Sequence, residues 1–454
     1  MECVLTSIRK DLLKESTNYI LDLASVRSVQ CDVYVEDSAG IEIETHRGNV
    51  ESVDKYRERG IAIRLVKDAG AGYAFTSDLS FSSLDSMFEE ALVIARNSTP
   101  LDEDILADPQ PSEADGNLDQ DDLSRDAVEG RIEDVIKMEE AAFDFSGSIV
   151  NTDRAGYFEE SSIITVSSSR GFTREEKRGS CSTFISAISK RSGETRSGWA
   201  WGQSPSPDGI DFAGIGRKAA ERSLNLLGSR KIPGGRYPTL FSQLAFIDIL
   251  GFLGDILSAE MVIKGISCLS GKLNKMIAPK FLSIVDDPFL KGGCFNSRFD
   301  DEGVSRRRYE IIKSGRLKGY LHTVMTSRKM KVTSAGNAFR SSFKAVPGPG
   351  VTNFYIEPGD KSSRDIMSGL SEGIYVQSIM GIHTADSISG DFSVGISGSY
   401  IKSGNVHCPI CEMTVSGNIL DVLSGITCIA NDLVFAGSSG SPSILVSGLS
   451  VSGK

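Results

Sequence analysis

Apolar residues recur at helical spacing in five segments of this 454-residue chain. These stripes predict helices over residues 8–24, from about residue 82, after residue 124, over 211–228 and over 242–259. In the second of them Asp85 follows Ser82 by three residues, so we expect the two to form a capping box at the start of that helix.

Short runs in which apolar and polar residues alternate predict the strands. They lie at residues 32–36, 40–46, 61–66, 160–169, 180–189 and 443–451. Two hairpins are predicted as well, 309–312 with 317–321 and 399–401 returning through Ser403-Gly404. Groups of helices and groups of strands are segregated and do not alternate. The sequence therefore predicts an α+β fold, with a helix-and-strand N-terminal half and a β-rich C-terminal half.

Two breaks in composition divide the chain. Between Asp102 and Asp122 there are nine acidic residues and no lysine or arginine, which is typical of an exposed linker that proteases cut first. The second break is Pro233-Gly234-Gly235. The predicted division is an N-terminal α+β domain at 1–100, an acidic linker at 101–123, a central α+β region at 124–232 and a β-rich domain at 236–454.

Charge and hydropathy exclude several classes of protein. The net charge of −11 repels phosphate backbones, so we expect no binding to nucleic acid. The longest apolar run, 244–257, is interrupted by Asp248 and Asp255 and is too short to span a bilayer. No apolar export signal follows Met1, and the eight cysteines are scattered. We therefore expect a cytoplasmic protein that does not bind membranes.

Few motifs support chemistry of their own. The four histidines (46, 322, 383 and 407) provide no closely spaced pair for zinc. Gly369-Leu370-Ser371-Glu372-Gly373 has the pattern of a nucleophile elbow, but it follows a helix and precedes a strand, which is the wrong order. His407-Cys408-Pro409-Ile410-Cys411 fits structural thiols better than redox or metal chemistry, which stays open. Asp300-Asp301-Glu302 fits a polar turn or a contact surface better than a cation site.

Motifs spread over nearly the whole chain resemble one family. They are Glu51-Ser52-Val53 with Arg59-Gly60, the run 72–80, Ile284-Val285-Asp286-Asp287-Pro288, Phe299-Asp300-Asp301-Glu302-Gly303-Val304, Leu317-Lys318-Gly319-Tyr320-Leu321, Gly336-Asn337-Ala338, Ile356-Glu357-Pro358-Gly359-Asp360, Ser389-Gly390-Asp391-Phe392-Ser393, Asn431-Asp432-Leu433 and Gly440-Ser441-Pro442-Ser443. In this order they resemble the TldD/PmbA family, and within it the PmbA (TldE) branch.

The resemblance implies an α+β fold and a cytoplasmic two-chain zinc peptidase built from TldD-type and TldE-type subunits. TldD-type subunits hold zinc with an H-E-x-x-x-H helix and a cysteine near the C-terminus. Matched to this chain, the helix motif falls on Leu250, Gly251 and Asp255, which replace both ligands and the base. Cys428 lies about where the cysteine would be, and a single thiolate cannot hold a catalytic zinc, so a buried structural role is favoured. We expect no cofactor in this chain, and zinc in its partner.

The resemblance thus predicts a non-catalytic subunit that pairs with a TldD-type zinc-bearing chain and acts on unfolded peptides, in proteolysis and peptide maturation. A homodimer of the isolated chain stays open. The alternative is a stand-alone peptide-binding or regulatory protein, in line with the family's older label of DNA gyrase modulator. The candidate chamber or interface residues are Asp248, Asp255, Asp300, Asp301, Glu302, His383 and Asp391. Of these, Asp248 and Asp255 belong to a polar helical stripe with Gly251 and Ser258.

Overall fold

The structure is a computed structural model that describes residues 2–110 and 128–453, with side chains from residue 12 onward. Its helices are α1 Glu2–Val26, α2 Phe81–Asn97, α3 Val128–Phe145, α4 Phe212–Leu224, α5 Gln243–Ile256, α6 Ala259–Lys264, α7 Val324–Met330, α8 Ser363–Ser368 and α9 Ile419–Ser424. In the described part of the chain, no helix is both long enough and apolar enough to cross a membrane.

A single antiparallel sheet of six strands joins the first two regions of the chain. Its strands are β1 Gln30–His46, β2 Asn49–Lys67, β3 Gly70–Thr76, β4 Ile149–Ser168, β5 Phe172–Arg191 and β6 Glu194–Ser204. They lie in the order β3-β2-β1-β4-β5-β6, so β1 and β4, which precede and follow residues 111–127, are direct neighbours. The N-terminal and central regions therefore share one sheet.

Residues 32–36 and 40–46, predicted as two strands, form the one long strand β1. Asp37, Ser38 and Ala39, which separate the two predicted strands, stay paired with β2 and continue the strand. Gly40 also stays in register with Tyr56 of β2, and the Tyr56 ring lies where a Cβ atom of residue 40 would be. A glycine in a strand commonly marks such a close approach, and here it admits an aromatic ring without ending the strand.

Helices cover this sheet at both ends. The first core cluster joins α1 and α2 to β1–β3 through buried residues such as Ile20, Ile63 and Phe88. A second cluster joins α3 and α4 to β4–β6. The predicted capping box of α2 is wrong: the N-cap is Ser80, with no side-chain capping bond, and Asp85 accepts a hydrogen bond of 2.7 Å from the Tyr19 hydroxyl.

The predicted acidic linker is packed against the protein as far as the structure describes it. Ile105, Leu106 and Ala107 are buried, although acidic residues surround them. Asp104 and Asp108 form ion pairs with Arg170 and Arg328. The expectation of an exposed linker is therefore corrected for residues 105–107, while Asp102 and residues 108–110 are exposed. Arginines from distant segments compensate the acidic charge around the buried residues. Residues 111–123 of the predicted linker lie outside the described part.

The C-terminal region contains the remaining strands. They are β7 Gly235–Phe241, β8 Ile284–Asp286, β9 Tyr309–Lys313, β10 Arg316–Leu317, β11 Ala338–Phe339, β12 Gly348–Pro349, β13 Phe354–Ile356, β14 Glu372–Met380, β15 Asp391–Lys402, β16 Asn405–Asn418, β17 Ile426–Ile429, β18 Val434–Ala436, β19 Ser439–Ser441 and β20 Ile444–Ser452. The α+β class predicted from the sequence is confirmed.

Two six-stranded sheets organise this region around one large core. The first has the order β16-β15-β14-β7-β20-β17, and β16 also pairs with β20, so five of its strands close into a ring. The second has the order β10-β9-β8-β13-β19-β18. Apolar residues of α5, including Phe246, Leu250 and Leu253, belong to the core cluster that both sheets share. This packing fixes α5 and thereby determines which of its faces remains open.

Candidate functional site

A groove of about 480 Å³ runs along the C-terminal half of α5. The helix begins at Ser242, whose hydroxyl accepts a hydrogen bond from the Ala245 backbone N–H, and Ser258 caps the following helix α6 in the same way. Gly251, Asp255 and Ser258 line the groove. Its opposite wall comes from Leu321, residues 349–351, Phe354 and residues 438–439.

The two faces of α5 differ sharply in burial. Leu250 is 0% exposed and packs in the core, whereas its neighbour Gly251 is exposed toward the groove. Of the polar stripe predicted on this helix, three members line the groove, while Asp248 is half-buried and does not. Burial raises the pKa of Asp248 to about 6, and it also raises the pKa of Asp255.

The groove does not have the ligands for a zinc ion. Its polar side chains are the Asp255 carboxylate and the hydroxyls of Ser258, Ser438 and Ser439, with no imidazole or thiol. Leu250 cannot ligate a metal and faces the core. Within residues 2–110 and 128–453, no three His, Cys, Asp or Glu side chains converge as a metal site would require. The side chains that line this groove therefore do not fit a catalytic zinc.

The candidate thiols lie in packed surroundings. Cys428, in β17, packs at the edge of a small cluster formed by Leu240, Ile366 and Ala430, and it is not part of the groove wall. Cys408 is buried in the main core, and Cys411 is half-buried on the same strand, β16. These surroundings are those of small apolar residues in a sheet.

His322 is the histidine next to the groove in sequence, following Leu321 of the groove wall. It is 4% exposed, and its Nδ1 atom lies 3.3 Å from the Thr326 hydroxyl, so the ring belongs to the packed interior. Burial lowers the pKa of His322 to about 4 from its usual 6.5, because the desolvated imidazolium is disfavoured.

This depressed pKa predicts a loss of stability in mild acid. Below pH 6.5 the unfolded chain takes up a proton at His322 that the folded chain resists, so stability falls with pH until about pH 4. Between pH 6.5 and 5 the loss from this group should be about 1.5 kcal/mol. Urea unfolding of His322→Gln should show a shallower pH dependence than the wild type. The control His407→Gln, on an exposed strand position, should keep the wild-type dependence; equal slopes in all three proteins contradict the prediction.

The acidic triplet 300–302 is buried, which corrects its prediction as an exposed polar turn or contact surface. Asp300, Asp301 and Glu302 are 0%, 1% and 1% exposed. Glu302 accepts a hydrogen bond of 2.5 Å from Arg64 of β2, and Asp301 pairs with Arg178 of β5 at 2.7 Å. The triplet thus connects the C-terminal region to the N-terminal sheet.

Asp300 is held mainly by backbone groups. Its carboxylate accepts hydrogen bonds from the N–H groups of Glu302, Val304 and Ala338. Since the triplet is enclosed between the regions, it cannot line a chamber. His383 and Asp391 are exposed as expected, but both lie outside the groove; Asp391 accepts a hydrogen bond of 2.8 Å from Asn418.

Comparisons with known proteins agree with this architecture. The chain is 27% identical over 436 residues to the protein named metalloprotease PmbA of Escherichia coli O157:H7, covering 94% of this chain and 92% of that protein. A solved structure from Thermotoga maritima, described as a proposed modulator of a DNA gyrase, has a TM-score of 0.89 at 26% identity and covers 97% of this chain and 100% of that one. TldE from Thermococcus kodakarensis has a TM-score of 0.86 over 93% of this chain and 97% of its own. Its 19% identity shows the fold alone.

Three family models match successive parts of the chain. They describe the PmbA/TldA metallopeptidase domain 1 at residues 31–95, the central domain at 121–227 and the C-terminal domain at 234–453. Together with the full-length relatives, these matches identify the family that the sequence motifs suggested. The chain belongs to the PmbA/TldD family of metallopeptidases.

Proposed function

We propose that this chain is the non-catalytic subunit of a cytoplasmic zinc metallopeptidase whose second chain, of the TldD type, holds the metal. The observation that carries the proposal is the α5 groove, which is open to solvent and large enough for part of a peptide but whose side chains lack zinc ligands. The family resemblance puts Leu250 and Gly251 at the positions of a zinc ligand and the base; Leu250 is part of the core, and Gly251 has no side chain to act as a base. The partner therefore supplies the chemistry.

The groove suits an extended, unfolded peptide. Gly251, Gly254 and Gly350 leave backbone exposed along it, and two of its serines lie in or beside β19. These small residues leave room for an extended chain and select little among its side chains, while the hydroxyls of Ser258, Ser438 and Ser439 can hydrogen-bond to its amide groups. We infer that the subunit guides unfolded peptides during proteolysis and maturation.

The runner-up is a stand-alone peptide-binding or regulatory protein. The Thermotoga neighbour's description as a proposed modulator of a DNA gyrase is what favours it. The net charge of −11 argues against direct contact with DNA and leaves contact with another protein open. The two functions differ in whether peptide cleavage depends on this chain.

Co-expression with a TldD-type chain from the same proteome tests the proposal. We expect the two chains to elute together in size-exclusion chromatography. Elemental analysis should find zinc in the mixture and no stoichiometric zinc in this chain alone. A fluorogenic unfolded peptide should be cleaved by the mixture and not by this chain.

Two outcomes contradict the subunit function. In the first, the chains elute separately and the TldD-type chain alone cleaves as fast as the mixture, which favours the stand-alone protein. In the second, this chain alone holds about one zinc per molecule and cleaves peptide in a chelator-sensitive manner.

A further inference from the structure

A second and larger cavity, of about 730 Å³, lies between the central region and the C-terminal region. One wall comes from α4 and β6, and the other comes from β14, α8 and the N-terminal end of α5. The α5 groove involves the other end of that helix, and the two cavities share no lining residue. Its size is typical of sites that bind small organic molecules.

Arg222, in the last turn of α4, places a guanidinium group in this cavity. One of its N–H groups donates a hydrogen bond of 2.8 Å to the Trp199 carbonyl oxygen. No carboxylate among the described residues forms an ion pair with it. Burial lowers the pKa of Arg222 from its ordinary value, as expected for a cation removed from water without a bound anion.

The carboxylates nearby are engaged by other groups. Glu221 pairs with Lys218 at 2.9 Å, and Asp211 caps the first turn of α4. Asp432 accepts hydrogen bonds from the Ser443 backbone and from the Gln243 side chain. Arg222 thus forms no ion pair within the described protein, although Tyr375 and Glu221 lie close enough to act on its charge.

The position of Arg222 is fixed by contacts across the cavity. The Gln377 side-chain amide, on β14, donates a hydrogen bond of 3.2 Å to the Arg222 carbonyl oxygen. The other charged residues of the lining, Lys218, Glu221 and Asp211, are engaged in the ion pair and the helix cap described above. The remaining residues are neutral and include the apolar side chains of Ile215, Leu244 and Val406. A single fixed guanidinium in such surroundings matches a ligand with one anionic group and an apolar body.

We propose that this cavity binds a small apolar monocarboxylate, with Arg222 as the anchor of the carboxylate group. The guanidinium fork suits the two oxygens of a carboxylate, and one cation balances a single negative charge. The free C-terminus of a short peptide and a simple aliphatic acid have the same chemistry. This site is separate from the groove of the proposed peptidase and does not depend on that function.

Tryptophan fluorescence can report binding of a ligand in this cavity. The chain has two tryptophans: Trp201 lines the cavity, and the Trp199 carbonyl binds Arg222. Titration of the full chain alone with N-acetyl-leucine or octanoate should change tryptophan fluorescence in a saturable way. N-acetyl-leucinamide should bind at least about ten-fold more weakly than N-acetyl-leucine, because it lacks the charge that Arg222 recognises. The ratio of the two acid affinities shows which source of carboxylate the cavity prefers.

Three variants connect the binding to the charge in the cavity. Arg222→Gln should weaken binding of the acid about ten-fold or more, whereas Arg217→Gln, an exposed arginine on the same helix, should leave it unchanged. Val406 is 57% exposed, so Val406→Asp should keep the fold and weaken binding through its negative charge. Circular dichroism checks that each variant is folded.

Three results with the carboxylate ligands overturn the proposal. They are equal affinity for N-acetyl-leucine and its amide, wild-type affinity in a folded Arg222→Gln variant, and no saturable signal with either acid up to about 10 mM. Preferential binding of inorganic phosphate also contradicts it. Because the partner chain and zinc are absent from this assay, its failure leaves the proposed peptidase function untouched.

Discussion

Arg64→Met should lower the free energy of unfolding by about 3–5 kcal/mol, because it removes the cation from a buried ionic cluster. Arg64 contacts Asp32 and Glu302, and all three side chains are less than a tenth exposed. Methionine keeps the aliphatic part of the arginine side chain, but Asp32 and Glu302 stay buried without the positive charge that balances them. Arg340, at 3.9 Å from Asp32, supplies only a distant remaining charge.

Urea unfolding measures this loss, and a surface pair provides the control. Arg27 and Glu89 lie 2.6 Å apart, but both side chains are about half exposed. Arg27→Met should therefore cost less than about 1 kcal/mol. Adding Glu302→Gln to Arg64→Met should recover part of the stability, since it removes one of the stranded charges. Similar losses from Arg64→Met and Arg27→Met contradict the role assigned to the cluster.

Gly251→Trp should reduce peptide cleavage by the assembled two-chain enzyme about ten-fold or more, while leaving the assembly intact. A Cβ atom added at residue 251 meets no atom within 4 Å, so the indole would extend into the groove without disturbing the core. A blocked groove excludes substrate and raises the barrier measured by kcat/KM, at about 1.4 kcal/mol for each factor of ten. This expectation rests on the proposed function.

Two control variants distinguish obstruction of the groove from a general effect of substitution on the protein. Gly251→Ala should retain activity and stabilise the chain by about 0.5–1 kcal/mol, because alanine favours a helix interior more than glycine does. Val93→Trp, on the exposed face of α2, should leave cleavage unchanged. Zinc content and co-elution should be the same in all variants. Full activity in Gly251→Trp would show that substrate does not pass along this groove.

Local patterns in the sequence predicted the elements but not all of their connections. The helical stripe over 242–259 placed α5 correctly, and its division into a buried and an open face follows from the spacing of Leu250 and Gly251. The serine-rich alternation also located β4 and β5. Such patterns succeed where one face of an element is buried, because the period then determines which residues point inward.

Ion pairs between segments that are distant in the sequence could not be predicted. The sequence predicts Asp300, Asp301 and Glu302 as a polar turn or a contact surface, yet arginines more than a hundred residues away bind two of them in the interior. The same cause made residues 101–110 resemble an exposed linker. Arg222 gave no signal either, because its environment arises only when α4 meets β14.

The closed ring of strands in the C-terminal region has a consequence for synthesis of the protein. β7 pairs with β20, about two hundred residues later in the chain, and β20 also pairs with β16. The ring therefore cannot close until residues 444–452 have left the ribosome. The strands β1–β6 can pair long before that point, because all of them precede residue 205. During synthesis we therefore expect a partly folded chain, in which the N-terminal sheet has formed and the C-terminal strands are still unpaired. In this state we expect the chain to depend most on chaperones.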